Sequence, residues 1–100
     1  DTGQWLENVF YFELLSRGYD VAVGKVGNLE VDFVAAKADD KRYIQVTESM
    51  LSEEVRKREL TPLQKIADNY EKIVLTLECG VETSYEGIRV INLIDWLLEA

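Results

Sequence analysis

Two short apolar runs, residues 29–35 and 43–47, constrain the fold of this chain more than any other feature. β-branched and aromatic residues dominate both runs, which predicts two neighbouring β-strands joined by a polar turn. Asp32 interrupts the apolar part of the first run, after Glu30 near its start, and the second run holds Gln45 and Thr47. The sequence therefore predicts an acid and two polar side chains pointing inward on apolar strands, where a metal ion or another ligand could bind.

The two-residue period of a strand predicts which of these side chains share a face. In the first run, one face is expected to carry Leu29, Val31, Phe33 and Ala35, and the other Glu30, Asp32, Val34 and Ala36. In the second run, Ile44 and Val46 are expected on one face, and Tyr43, Gln45 and Thr47 on the other.

The other elements follow from apolar periodicity and from turn and capping residues. We expect a helix over 3–17 that stops at Gly18, and a first strand over 19–25 that turns at Gly27-Asn28 into a strand over 29–37. After the turn 38–41 come a strand over 42–48, a helix over 52–60 and a separate helical turn that restarts at Thr61-Pro62 and reaches 69. A strand over 73–77 that pairs in parallel, a loop over 78–86, a strand over 87–91 and a helix over 93–99 complete the chain. This order predicts an α/β fold with a mixed sheet between helices.

Composition bounds the possible classes of protein. A length of 100 residues, 47% of them hydrophobic, fits one domain with a packed core. The single Cys79 and the absence of histidine exclude an internal disulfide, a Cys/His metal cluster and a Cys-His nucleophile, and they favour a reducing, cytoplasmic compartment. No stretch has the length of a membrane span and no signal peptide is visible, so we expect no membrane partner. The chain opens on Asp1 rather than Met, which favours a fragment of a longer protein.

The net charge of −8 bears on nucleic-acid binding. Affinity for nucleic acid that does not depend on sequence comes mostly from Lys and Arg, so strong DNA binding by this domain alone is disfavoured. Arg56, Lys57 and Arg58 cluster in one segment, with Lys65 further along. They could form a local basic face, or they could belong to a solvated helix face that also carries Glu53, Glu54 and Glu59.

Glu7 is a second acid in an unusual position. At about 100° per residue it falls in the middle of an apolar helical arc that holds Phe10, Tyr11, Leu14 and Leu15. A buried carboxylate is costly without a partner, which predicts a cation, a metal ion or several hydrogen-bond donors beside it. The alternative is an acid at the edge of the core that reaches a nearby backbone or a lysine.

The order of elements resembles the PD-(D/E)XK nuclease superfamily, whose restriction-endonuclease-like core is a helix, a three-strand meander, a helix and a further strand. More closely, the chain resembles the C-terminal domain of unknown function that follows the nucleotide-hydrolysing domain in a family of prokaryotic AAA-type ATPases. Short segments along nearly the whole chain carry this resemblance: Leu6-Glu7-Asn8, Arg17-Gly18-Tyr19, Glu30-Val31-Asp32-Phe33-Val34-Ala35, Tyr43-Ile44-Gln45-Val46, Arg58-Glu59-Leu60, Asp68-Asn69-Tyr70, Gly87-Ile88 and Asp95-Trp96-Leu97-Leu98. None of them is an ATP-binding motif.

The resemblance implies a site at Glu7, Asp32, Gln45 and Thr47. In active members a strand Asp and a Glu or Gln two residues before a Lys hold Mg²⁺ and the attacking water, and some members add a Glu from the first helix. Here Asp32 and Gln45 match the strand positions, Glu7 matches the helical acid, and Thr47 stands where the lysine would be. Oxygen ligands of this kind suit Mg²⁺, but loss of the lysine removes a group that positions water and stabilises charge.

Two functions therefore remain open. The resemblance favours a degenerate nuclease-like accessory domain that regulates or targets an ATPase domain of the same full-length protein. The alternative is a Mg²⁺-dependent DNA endonuclease that uses Glu7, Asp32 and Gln45, with Lys25 or Lys65 as possible replacements for the lysine. Lys41 shares the parity of Gln45 but lies four residues away, roughly 13 Å along the strand, which is too far without bending. Trp5, Tyr85 and Trp96 are candidates for a protein interface if they are exposed, although such aromatic residues are more often part of the core.

Overall fold

The structure, a computed structural model, describes residues 2–80 and 82–99. These residues form three helices and six strands. The helices are α1 (Thr2–Ser16), α2 (Glu53–Gln64) and α3 (Leu93–Glu99). The strands are β1 (Asp20–Val26), β2 (Leu29–Lys37), β3 (Asp40–Val46), β4 (Glu71–Thr76), β5 (Thr83–Tyr85) and β6 (Ile88–Asn92). No helix among the described residues is long and apolar enough to cross a membrane.

The strands form one mixed sheet in the order β1-β2-β3-β4-β6-β5. β1, β2 and β3 are an antiparallel meander, whereas β3, β4 and β6 pair in parallel. The helix α2 makes the connection from β3 to its parallel neighbour β4, as parallel pairing requires. These pairings confirm the predicted α/β class and the parallel pairing of the apolar strand β4.

Helices cover both faces of the sheet, so the core has two layers. On one face α1 and α3 pack through Leu6, Phe10, Leu14, Leu93 and Trp96 onto Phe33, Ala35, Ile44, Val46, Ile73, Leu75 and Ile91. On the other face α2 packs through Leu60 and Leu63 onto Val31, Tyr43, Met50, Val74, Ile88 and Val90. Within α1, Tyr11 and Leu15 are exposed, so the predicted apolar arc was wrong at these two positions.

A β-bulge in β2 overturns the predicted alternation of that strand. From Ala22 to Gly24 β1 advances two residues, while its partner β2 advances three, from Val34 to Val31. The extra residue reverses the sides, so that Val31 lies in the α2 layer and Phe33 in the α1 layer. The prediction that both share a face was therefore wrong, because a bulge breaks the two-residue period. In β3 the predicted faces are confirmed, since Ile44 packs on the α1 side and Tyr43 on the α2 side.

Two further expectations fail around α2 and β5. The helix α2 begins after Ser52, whose Oγ accepts from the Val55 N–H as predicted, but it does not break before Pro62. Proline costs only one helical hydrogen bond in the last turn, so the helix runs on to Gln64 and then ends. The segment predicted as a loop over 78–86 contains β5, whose three residues are all exposed and give no apolar pattern.

Candidate functional site

The candidate site lies where β2 and β3 separate. Their pairing runs from Lys37–Asp40 to Phe33–Ile44 and stops there, while β3 stays paired with β4 as far as Val46. The bulge falls at the same point on β2. Bulges turn a strand away from its partner and re-aim side chains, so the strands open into a fork with Asp32 at its start.

Side chains take over the hydrogen bonds of the sheet inside this fork. The Asp32 N–H donates to Gln45 Oε1 at 2.8 Å, and the Val46 N–H donates to Asp32 Oδ2 at 2.9 Å. Gln45 Nε2 in turn donates to the Glu59 backbone oxygen on α2 at 3.2 Å. We call these three hydrogen bonds the Asp32–Gln45 clasp. The clasp satisfies backbone donors that would otherwise be unpaired where the strands part.

A cavity of about 340 Å³ opens beside the clasp. Residues from both helical layers and from the ends of the two strands line it: Gly3, Glu7, Asp32, Val46, Thr47, Glu48, Arg58 and Glu59. Glu7, Asp32 and Thr47 thus line one cavity, and Gln45, the fourth position that the resemblance singles out, is hydrogen-bonded to the Asp32 N–H. Gln45 itself is only 4% exposed and does not line the cavity.

Burial and neighbouring carboxylates destabilise the charged forms of three acids in this cavity. Burial is the main cause that raises the pKa of Glu7, of Asp32 and of Glu59. The Asp32 charge raises the pKa of Glu7 and of Glu59 further, while the hydrogen bond from the Val46 N–H opposes the rise at Asp32. These acids therefore face each other without enough positive charge to balance them.

Among the residues that the structure describes, Arg58 is the one cation that lines this cavity. Its Nε lies 3.2 Å from Glu59 Oε2, and its charge lowers the pKa of both Asp32 and Glu59. The guanidinium is mostly exposed, so solvent weakens this attraction. Lys41, one of the considered lysine replacements, lies over the rings of Tyr43 and Tyr70 instead and does not line the cavity. Lys25 and Lys65 do not line it either.

The residues present do not form a ready metal site. Among residues 2–80 and 82–99 no group of three or more acidic, histidine or cysteine side chains is placed to hold one metal ion. The Gln45 oxygen, expected as a ligand, accepts from the Asp32 N–H, and the Thr47 hydroxyl is directed to the Ser49 backbone oxygen at 3.4 Å. Mg²⁺ requires near-octahedral oxygen ligands, and the Gln45 oxygen and one Asp32 oxygen already accept hydrogen bonds from backbone N–H groups.

Glu59 and Arg58 were not predicted as site residues. The sequence assigned Glu59 to a solvated helix face, yet its side chain is only 12% exposed. A signal was available, since Val55, Glu59 and Leu63 recur at intervals of four residues and so share the inner face of α2. Nothing comparable distinguishes Arg58, because an exposed arginine beside an acid is ordinary on a helix.

Comparisons with known proteins give one informative relative. No family model matches the chain, and no solved structure matches it. An uncharacterized protein of Haemophilus influenzae is 44% identical over 94 residues, which are 94% of this chain but only 23% of that protein. The chain therefore spans about a quarter of the relative that it matches.

Proposed function

We propose that this domain is a degenerate nuclease-like module that serves a larger prokaryotic ATPase as a regulatory or targeting part and does not cleave nucleic acid. The Asp32–Gln45 clasp is the observation that carries the proposal. It uses the polar groups that would hold a metal ion and its water to fasten the strand fork. With Thr47 at the position of the lysine, the side chains that remain stabilise the fold and leave hydrolysis without its machinery.

The accessory role draws on two further observations. The relative from Haemophilus influenzae has roughly three quarters of its length outside the matched region, which leaves room for another domain. The net charge of −8 disfavours DNA as the main partner of the domain itself. The ATPase as partner rests on the resemblance of the short sequence segments.

A Mg²⁺-dependent endonuclease is the second candidate, and the shared cavity favours it. Glu7 and Asp32 line that cavity together with Glu59, so acids from three separate elements converge. In that case a bound cation would relieve the repulsion among these acids. A shift of the Gln45 side chain could add its amide oxygen as a further ligand.

A paired metal and cleavage assay decides between these candidates. The full-length protein and its Asp32→Asn variant are incubated with single-stranded and duplex DNA in millimolar Mg²⁺ or Mn²⁺, and their melting temperatures are measured in parallel. We expect no cleavage by either protein and no metal-dependent stabilisation that Asp32→Asn removes. Cleavage by the wild type that the variant lacks would establish the endonuclease and overturn the proposal.

A second experiment tests the accessory role. The ATP hydrolysis rate and the cellular position of the full-length protein are compared with those of a chain truncated before α1. We expect truncation to change at least one of the two. If the ATP hydrolysis rate and the cellular position both stay unchanged, the domain has neither the regulatory nor the targeting role.

A further inference from the structure

The outward side of α1 is apolar, although it faces away from the core. Trp5, Val9 and Phe12 are 63%, 45% and 67% exposed. They follow one another at intervals of four and three residues, so they form one stripe on the helix, opposite the stripe of Leu6, Phe10 and Leu14 that packs on the sheet. We call the exposed stripe the α1 outer face.

The helix on the other side of the sheet shows how unusual this face is. The fully exposed positions of α2 are Glu53, Glu54, Lys57, Arg58 and Gln64, all of them polar. Between Trp5 and Phe12 the α1 outer face holds no charged side chain, in a protein with 30% charged residues. Enrichment in aromatic residues together with depletion of charge distinguishes the centre of a protein interface from ordinary surface.

We propose that the α1 outer face docks onto another domain of the same polypeptide. The relative from Haemophilus influenzae devotes only 23% of its length to this domain, so most of that chain is available to cover the face. A tethered domain meets the face at high effective concentration and needs little contact area to stay docked. A helix that is apolar on both sides is usually buried on both sides. The sheet buries the inner side of α1, and a docked domain would bury the α1 outer face.

The size and charge of the face argue against other occupants. An aromatic side chain buries about 150–250 Å² at most, so three partly exposed side chains fall well short of the roughly 800 Å² per partner of a stable interface between separate molecules. A membrane surface is disfavoured, because amphipathic helices that bind lipid carry Lys and Arg on their polar side. The sequence of α1 contains no Lys or Arg, and Arg17, which follows the helix, lies 2.8 Å from Glu13.

The test compares hydrogen exchange in the full-length protein, followed by mass spectrometry, with that of two variants. Trp5→Ser with Phe12→Ser removes the aromatic side chains, and Val9→Lys places a charge in the middle of the face. Leu51→Ser is the matched control, since Leu51 is 80% exposed but lies outside α1. Peptides of β4 report whether the domain stays folded in every variant.

Both α1 variants should accelerate exchange in a segment outside these 100 residues by roughly tenfold or more, the effect of losing about 1.4 kcal/mol of docking energy. The β4 peptides and the Leu51→Ser control should stay unchanged. Unaltered exchange outside the domain would overturn the proposal, and so would a gene that encodes nothing beyond these residues. A variant that instead abolishes a dimer in light scattering, or binding to phosphatidylglycerol vesicles, would assign the face to a second copy or to a membrane.

Discussion

The Asp32 N–H donates to Gln45 Oε1 at 2.8 Å across the fork where β2 leaves β3. A side chain thus replaces the backbone acceptor that a continuous sheet would supply. The same amide donates to the Glu59 backbone oxygen, so one buried glutamine joins two strands and a helix. Gln45 therefore has a structural role that does not depend on any metal ion or substrate.

Gln45→Leu tests this role. Leucine has a similar size but leaves the Asp32 N–H and the Glu59 carbonyl without their side-chain partner, at about 1–3 kcal/mol for each buried group. We expect the free energy of unfolding, measured in urea, to fall by about 2–4 kcal/mol. Gln64→Leu is the control, because the hydrogen bond from Gln64 to Glu86 is exposed, and a change within about 0.5 kcal/mol is expected there. Equal effects of the two substitutions would contradict the clasp.

The acids around the fork predict a pH dependence of stability. Because the pKa of Glu59 is raised above its ordinary 4.5, the native state binds more protons than the unfolded state between these two pKa values. Protonated Glu59 stabilises the native state. This contribution is fully present at pH values below the pKa of Glu59 in the unfolded chain, and it is lost as pH rises through the higher pKa that Glu59 has in the folded protein. Glu59→Gln should therefore stabilise the protein at neutral pH, by an amount on the order of 1 kcal/mol. The gain should vanish in acid.

Glu82→Gln is the matched control for this prediction. Hydrogen bonds from Arg89 are the main cause that lowers the pKa of Glu82, so its stabilising contribution is present above the ordinary pKa and lost as pH falls. This substitution should destabilise the protein at neutral pH and have less effect in acid. Urea unfolding across the pH range measures both variants, and curves of the same sign would contradict the assignment of opposite pKa shifts.

Much of the fold was predictable because its signals are local. The Ser52 cap, the turn at Gly27-Asn28 and the apolar run of β4 each depend on a few adjacent residues. The bulge near Asp32 was not predicted, since it arises from the pairing of β1 with β2, and its one local signal, Gly24 inside β1, does not say which strand holds the extra residue. The exposed β5 was missed because only its partner β6 has an apolar pattern.

The sequence pointed to positions of the candidate site but not to the contacts that their side chains make. The resemblance pointed to Glu7, Asp32, Gln45 and Thr47, and three of these, Glu7, Asp32 and Thr47, line one cavity. The contacts of Gln45 depend on how far the strands separate, and the inner position of Glu59 depends on the rotation of α2 against the sheet. Tertiary packing sets the contacts of Gln45, and no periodicity in the sequence records them, whereas the four-residue spacing of Val55, Glu59 and Leu63 was a signal for the inner position of Glu59.

The strand pairing at the bulge leaves no room for a side chain at Gly24. A Cβ atom at this position would lie 2.6 Å from Val34 Cγ2 and 3.2 Å from Val31 Cβ. Valine is stiff at χ1 and cannot easily move aside, so Gly24→Ala should destabilise the protein by about 1–3 kcal/mol. The double variant Gly24→Ala/Val34→Ala removes the closer obstacle. If steric conflict is the cause, the effects of the two substitutions should be less than additive in urea unfolding, and strict additivity would refute it.

Arg58 supplies a last prediction, about the charge balance of the cavity. Its guanidinium lowers the pKa of Asp32 and of Glu59, so Arg58→Met should leave these two acids less well compensated and destabilise the protein at neutral pH. Because Arg58 is 65% exposed, solvent screening limits the loss to about 0.5 kcal/mol. The loss should shrink at about 1 M salt, where the Debye length is about 3 Å, and in acid, where the carboxylates are protonated. Lys57→Met is the control, since Lys57 is also exposed on α2 but does not line the cavity. An equal and salt-independent loss in both variants would show that Arg58 acts through helix packing and not through the acids beside it.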